Sequence, residues 1–335
     1  MARAGGGAER RAAFRRHAAA ALALLIALGA ASCTDLRLRP YRDDRLVRDY
    51  RYALGEQYLK VDGLRLCYQE AGAGETVLIL PGLGTSIDYW QFTIPALAAH
   101  YHVVAVDPPG FGKSDKPDVD YELTWIADQI VAFMDAKGIA RASIVGGSMG
   151  GHLALILALK HPERVSRLVL MGSVGDWPPP DPFRDMAIKI LWHDEPVTAY
   201  LRQHWPEIYA KMFKKSTLFT ASVLRYDMAL RADGPRYFPY GRAAARALRS
   251  ILYSSCRDRL GEIACPVLLV WGEEDRIHSA DEAGRYFREH LPDSRLVVVL
   301  DAAHEVMADQ PDVFNGLVLK FLRAGTAEIE DRPPR

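Results

Sequence analysis

The feature that constrains this chain most is a run of small residues, Gly146-Gly147-Ser148-Met149-Gly150-Gly151. It sits between an apolar, β-type stretch, Ser143-Ile144-Val145, and a helical pattern that begins near Gly150. A strand that passes into a helix through so short a link has to turn very sharply. The chain then crowds itself, and small neighbours are needed where it does. A serine hydroxyl is a poor nucleophile unless it is exposed and held beside a base, and a tight turn above a sheet edge exposes it. The start of the following helix adds a field that favours developing negative charge. Ser148 is therefore the candidate nucleophile.

Such a turn belongs in a parallel sheet, and the rest of the chain supplies one. Strands are expected at Gln57–Val61, 64–69, Thr76–Leu80, His102–Val106, 142–145, 167–171, 267–271 and 295–300. Asp62-Gly63 between the first two is a hairpin signal. The other six are short, continuous apolar runs of the kind found in strands buried on both faces. Helical periodicity separates them at 123–137, 150–160 and 280–290. This alternation predicts the α/β class, with a mostly parallel, eight-stranded sheet flanked by helices. With 335 residues, 49% of them hydrophobic, the chain has ample material for such a core.

The alternation breaks over 174–253. That stretch opens with Pro178, Pro179, Pro180 and Pro182, then carries Trp192, Tyr200, Trp205, Tyr209, Phe213 and Phe219 in helical-looking segments. It reads as a helical cap inserted after the sixth strand. Its aromatics either line a cavity or hold the cap to itself. The core is then split into 57–173 and 254–325, with a tail at 326–335.

The first 33 residues differ in kind. Arg10, Arg11, Arg15 and Arg16 precede an apolar run over 18–31 that ends in small residues and Cys33. A basic start, an apolar middle and a small-residue exit describe an export signal. At about 14 residues, the run is short for a bilayer span. The segment resembles a bacterial lipoprotein signal with Cys33 as the lipidated residue, although Ala30 stands where Leu is usual. An ordinary cleaved signal or an uncleaved anchor is the alternative. The expected location is the cell envelope, with residues 34–56 as an arm or tether and a membrane as partner.

Forty-two basic and forty-two acidic side chains balance, and no long basic run lies beyond the N-terminus, so no nucleic-acid partner is indicated. No cluster of His, Cys and acidic residues has ligand spacing, so neither metal nor organic cofactor is expected. Cys67 reads as a small buried hydrophobe. Cys256 and Cys265 could pair or stay free.

Three segments together resemble the α/β-hydrolase family, and within it the cap-bearing branch. They are the turn around Ser148, the stretch Asp107-Pro108-Pro109-Gly110-Phe111-Gly112-Lys113-Ser114, and His161-Pro162-Glu163-Arg164-Val165 leading into the sixth strand. The likeness runs from about residue 57 to residue 322. It implies a chain order of Ser, then acid, then His. Asp275 follows the seventh strand and is the candidate acid, with Glu273 and Glu274 as neighbouring competitors and Asp176, after the sixth strand, as a rival. His304 follows the last strand and is the candidate base. His278 lies too close to Asp275, His290 falls in a helix, and His152 reads as a packed side chain. The fold also implies an oxyanion hole from the backbone N–H groups of Leu83, in Leu80-Pro81-Gly82-Leu83-Gly84, and of Met149. Pro81 stands where many members have His.

Members of the branch with an Asp nucleophile do not fit Ser148. Its carbon–carbon bond hydrolases often carry Trp directly after the base, whereas Glu305 follows His304 here. The expectation is therefore a serine hydrolase of carboxylic esters, with a small-molecule ester, a lipid or an acylglycerol as substrate. A carbon–carbon bond hydrolase of the meta-cleavage product type on the same residues is the alternative, and a non-catalytic envelope binding protein is a third reading.

Overall fold

The computed structural model describes residues 55–178, 192–214 and 234–334, with positions 182, 185, 186 and 188 between them. The expected signal segment with Cys33, and nearly all of the expected arm, lie outside the described residues. Eight strands form one sheet: β1 Gln57–Val61, β2 Leu64–Ala71, β3 Thr76–Leu80, β4 His102–Val106, β5 Ala142–Gly147, β6 Val165–Met171, β7 Val267–Gly272 and β8 Ser294–Val299. Their order is β1-β2-β4-β3-β5-β6-β7-β8. β1 and β4 run antiparallel to β2, and all pairings from β4 to β8 are parallel. Asp62 and Gly63 both have positive φ, as the two-residue hairpin turn requires.

From β3 the chain first steps outward to β4 and then crosses to β5 on the other side. Adjacent crossovers therefore leave in opposite directions between β3 and β5. The crevice at the carboxyl ends of these two strands is where open α/β sheets place ligands.

Eight α-helices complete the described residues: α1 Thr93–Ala98, α2 Leu123–Ala136, α3 Met149–Lys160, α4 Asp194–Met212, α5 Gly234–Tyr253, α6 Arg285–His290, α7 Val306–Asp309 and α8 Pro311–Ala324. In α2, Leu123, Ile126, Ala127, Ile130, Phe133 and Met134 are buried, the single apolar stripe of a helix lying on a sheet. In α3 every side chain from Met149 to Ala158 is buried, because the helix is covered on all sides. The turn after β4 is tied by Asp107, whose buried carboxylate accepts the N–H groups of Ile87 and Lys113, each at 2.8 Å.

Some boundaries differ from expectation. β2 continues to Ala71. β8 ends at Val299, and Leu300 is left outside it, exposed, before Asp301 turns the chain with φ 58°. The helix expected over 280–290 opens with a wide π-type turn at Ala280–Gly284 and becomes α-helical only from Arg285. Cys67, Cys256 and Cys265 are free thiols.

Between β6 and β7 the described residues contain α4 and α5, which pack on each other, and no strand. Phe213 packs on Tyr89 of the core, ring centroids 6.1 Å apart, and Tyr200 lies on His204 within α4. The side chains of Trp205, Tyr209 and Phe219 lie outside the described residues. Among the described residues no helix is long and apolar enough to cross a membrane.

Candidate active site

Ser148 follows β5 directly and has φ 52° and ψ −116°, a conformation that costs a non-glycine residue about 1–3 kcal/mol. The surroundings enforce it. Ser148 N–H donates to the Met171 carbonyl at 2.8 Å, and the Ser148 carbonyl accepts from Gly151 N–H at 3.0 Å. A Cβ at Gly146 would lie 2.4 Å from the Gly150 carbonyl oxygen, and one at Gly150 would lie 2.0 Å from that of Leu80. The glycines are thus required by close backbone approach on both sides of the turn.

The loop after β3 stands next to this turn. A Cβ at Gly82 would be 3.3 Å from Ser148 Cβ. Leu83 lines the same cavity as Ser148. Met149 is the first residue of α3, so its N–H has no carbonyl within the helix to bond.

Asp275, after β7, and His304, after β8, meet across the sheet edge. His304 Nδ1 donates to Asp275 Oδ2 at 2.8 Å, and both side chains are buried. The other oxygen of Asp275 accepts the N–H groups of Ile277 and His278, each at 2.9 Å. Burial alone would push the His304 pKa down. The Asp275 carboxylate, by charge and by hydrogen bond, outweighs it and holds the pKa above the ordinary value. Gly172, at the end of β6, leaves room for the pair: a Cβ there would be 2.9 Å from His304 Nδ1.

The competing candidates take other positions. Glu273 is exposed, and Glu274 pairs with Lys214 Nζ. Asp176 Oδ1 accepts from His278 Nε2 at 2.7 Å, and the Trp177 ring stacks on His278. The rival acid and one of the other late histidines therefore satisfy each other in a second Asp–His pair. His152 is fully buried, its pKa pushed down to about 4 by burial, and His290 lies at the surface on α6. Glu305 is buried beside His304, and burial pushes its carboxyl up to about 7.

Ser148, Leu83 and His304 line one cavity, whose remaining wall is apolar. α4 contributes Leu201, Ile208 and Met212, α5 contributes Leu248, Ile251 and Leu252, and Trp177 comes from the loop after β6. Among the described residues the lining from α4 and α5 is apolar and not aromatic; of the aromatics expected to choose between lining and gluing, Phe213 and Tyr200 pack on Tyr89 and His204. A larger hollow of ≈ 530 Å³ between β8, α8 and the C-terminal residues contains none of Ser148, Asp275 and His304. Among the described residues no group of three or more His, Cys, Asp or Glu side chains could hold a metal ion.

A fold of this order, with a strained serine at the β5–α3 turn, is matched by the sequence profile of the α/β hydrolase fold over residues 75–311. The chain belongs to the α/β-hydrolase family. This hydrolase is 32% identical over 273 residues to a 2-hydroxy-6-oxo-6-phenylhexa-2,4-dienoate hydrolase of Burkholderia cepacia, covering 79% of this chain and 93% of that protein. Its structure is similar to that of a membrane phospholipase A, a bacterial virulence factor, with TM-score 0.69 and 25% identity over 94% of each chain. It is also similar to a serine hydrolase involved in carbazole degradation, with TM-score 0.66 and 26% identity over 81% of this chain and 99% of that one.

Sequence reasoning missed one residue that shapes this hydrolase's site. The Asp309 carboxylate accepts the N–H of Ala303, just before His304, at 2.8 Å, and that of Lys214, just after α4, at 2.9 Å. It fixes the loop that carries His304 and ties it to the end of a roof helix. Nothing local in the sequence marks it.

Proposed function

We propose that this hydrolase cleaves carboxylic esters with an apolar acyl group through an acyl-enzyme on Ser148. The observation that carries this reading is the 2.8 Å contact between His304 Nδ1 and Asp275 Oδ2 beside an apolar cavity that Ser148 also lines. With its Nδ1 proton held by the carboxylate, the imidazole keeps its Nε2 lone pair free to act as base. Ser148 Oγ attacks the ester carbonyl carbon and its proton passes to His304 Nε2. The N–H groups of Leu83 and Met149 hold the oxyanion. The tetrahedral adduct collapses, the C–O bond breaks, and His304 protonates the leaving alcohol. Water, deprotonated by the same imidazole, then attacks the acyl-enzyme and releases the acid.

The sequence relative from Burkholderia cepacia favours a second reading, carbon–carbon bond hydrolysis on the same residues. A dienoate substrate carries a carboxylate, and burying that charge calls for a cationic partner. The apolar described lining suits an acyl chain, and the likeness to a membrane phospholipase A favours the ester reading. A fluorophosphonate probe should label the wild type and not Ser148→Ala, in which ester turnover falls about 10⁶-fold. Purified enzyme is then given p-nitrophenyl esters of rising chain length and, separately, 2-hydroxy-6-oxo-6-phenylhexa-2,4-dienoate. Turnover of the dienoate with no turnover of any ester establishes the second reading; absence of probe labelling sinks both and leaves a binding protein.

We further infer an envelope location with lipid on Cys33, supported by the basic, apolar and small-residue order of residues 1–33. Metabolic labelling with a radiolabelled fatty acid should mark the wild type and not Cys33→Ser; equal label on both, or none on either, ends this inference.

A further inference from the structure

The helix α5 does more than supply three aliphatic side chains to the cavity wall. Near its start, Tyr240 is 3% exposed, and its hydroxyl donates to the carbonyl of Gly84 at 2.5 Å. Gly84 lies in the loop after β3, next to Leu83. That loop is a four-residue turn closed by Thr85 N–H donating to the Gly82 carbonyl at 3.2 Å, with Gly84 in third place at φ +72°. A positive φ at that place is what a type II turn needs.

The bonds form a chain of peptide planes. The Gly84 carbonyl and the Thr85 N–H belong to one planar peptide unit. Tyr240 holds its oxygen, so it also aims the Thr85 N–H at Gly82. The Gly82 carbonyl accepts that N–H and, at 3.0 Å, the Thr85 hydroxyl. In a trans peptide the N–H points opposite to the C=O, so fixing the Gly82 oxygen fixes the direction of the Leu83 N–H. Gly82 is the residue that stands against Ser148.

We propose that Tyr240 is a positioning residue, through which the helical roof sets the aim of the Leu83 oxyanion donor; this rests on the ester-hydrolase reading above. The helix is well placed to transmit such a constraint. Ser250, further along α5, accepts the N–H of Leu123 at 2.9 Å and donates to Glu122 at 2.9 Å, so the helix is tied to the core at both ends. Leu248, Ile251 and Leu252 face the cavity from the same helix. An acyl chain pressed against this wall therefore acts on the element that orients the oxyanion loop.

The test is Tyr240→Phe in the full-length protein, which keeps the ring and removes the hydroxyl. Three quantities are compared with wild type: kcat and KM for a p-nitrophenyl ester, inhibition by an alkyl trifluoromethyl ketone, and inhibition by the matching methyl ketone. The trifluoromethyl ketone accepts the Ser148 oxygen at its carbonyl carbon while the proton goes to His304, leaving an oxyanion in the hole. The methyl ketone only fills the cavity. Tyr240→Phe should lower kcat about tenfold, short of the 10²–10³ lost with an oxyanion donor itself. It should weaken trifluoromethyl ketone binding by the same factor, leaving KM and methyl ketone binding within twofold. Thr85→Ala should show the same pattern more weakly. Unchanged kcat and unchanged trifluoromethyl ketone binding overturn the proposal, as does equal weakening of both ketones, which would mean loss of the wall and not of the hole. If wild type neither hydrolyses the ester nor binds the trifluoromethyl ketone, the underlying reading fails, and this one with it.

Discussion

The floor and the roof of the cavity are built on different principles. The floor is backbone. Ser148 sits directly beyond β5, Asp275 and His304 lie on the loops that follow β7 and β8, and each is fixed by main-chain hydrogen bonds or close glycine contacts within the core. The roof is side chains. α4 and α5 present aliphatic groups to the cavity, and the described links from α5 to the floor are a few polar contacts such as Tyr240–Gly84, Ser250–Glu122 and the arginines facing Asp118. A floor of this kind specifies one geometry and tolerates little change. A roof of this kind specifies a shape and an affinity for apolar groups, and its cavity-lining side chains can vary while the Tyr240–Gly84 contact is kept. On the proposed mechanism, the difference separates the residues that would set the rate of bond breaking from those that would choose the substrate.

The largest effect should come from the floor. Asp275→Asn is expected to lower kcat by about 10⁴-fold, since the imidazole loses both its tautomer and the charge that stabilises its cation. The pH profile supplies the sign. His304 acts as base only when neutral, and Asp275 holds its pKa above 6.5, so wild-type kcat/KM falls as pH drops through a value higher than 6.5. Without the carboxylate, burial is the dominant remaining influence and lowers the pKa, so the acid limb moves to lower pH. The companion variant Asp176→Asn tests the second pair: it should leave the acid limb where it is. If Asp176→Asn costs as much as Asp275→Asn and moves the limb, the acid belongs to the loop after β6, and the floor has been drawn wrongly.

A change in the roof lining that leaves Tyr240 in place should act on substrate choice. Ile208→Trp fills part of the cavity from α4 with a side chain that has no role in proton transfer. For long-chain p-nitrophenyl esters, kcat/KM should fall about 10–100-fold, the range that one or two methylenes of pocket volume command. For the acetate ester it should change less than threefold. A fall as large for acetate as for the long chain would show that the two regions are not separable, because a roof residue would then be disturbing the floor.

The same division governs what the sequence makes legible. The place of Ser148 is legible because its turn forces small residues at fixed spacing, and that of His304 because chain order and strand count leave few alternatives. Their geometry is a consequence of the backbone, and backbone constraints leave local sequence marks. Asp309 and Tyr240 leave none, because their partners are main-chain atoms, which any residue offers, and the contacts that tie separate elements together reach 95 and 156 positions away. The pairing of Asp176 with His278, 102 positions apart, is hidden in the same manner: each is a candidate for the site on its own, and nothing in the sequence says that the two satisfy each other. The sequence leaves open whether the aromatics of 174–253 line a cavity or hold the helices together, because both roles use the same residue types; among the described residues Trp177 lines the cavity and Phe213 packs on Tyr89 of the core.

The smallest expected effect is also the one that asks whether roof and floor unfold separately. Arg246 of α5 donates to Asp194, the first residue of α4, at 2.8 Å, and to Asp118 and the Val119 carbonyl in the core at 2.8 and 2.7 Å. One guanidinium thus joins both roof helices to the body. A single exposed ion pair contributes about 0–1 kcal/mol, but a partly buried network with several charged hydrogen bonds contributes more, about 1–2 kcal/mol here. Arg246→Ala should therefore lower Tm by a few degrees and leave the kcat for the acetate ester within twofold. Hydrogen exchange decides what that loss means. If the roof is a unit of lower stability, amides in Asp194–Met212 and Gly234–Tyr253 should exchange faster in the variant while those in β3, β5 and β7 keep wild-type protection. Equal acceleration in the sheet would mean one cooperative unit, and the contrast between a fixed floor and an adjustable roof would then describe shape without describing stability. Faster exchange confined to the roof, with unchanged acetate turnover, would show that the roof is a separate unit of lower stability and that turnover of the short ester survives its loosening.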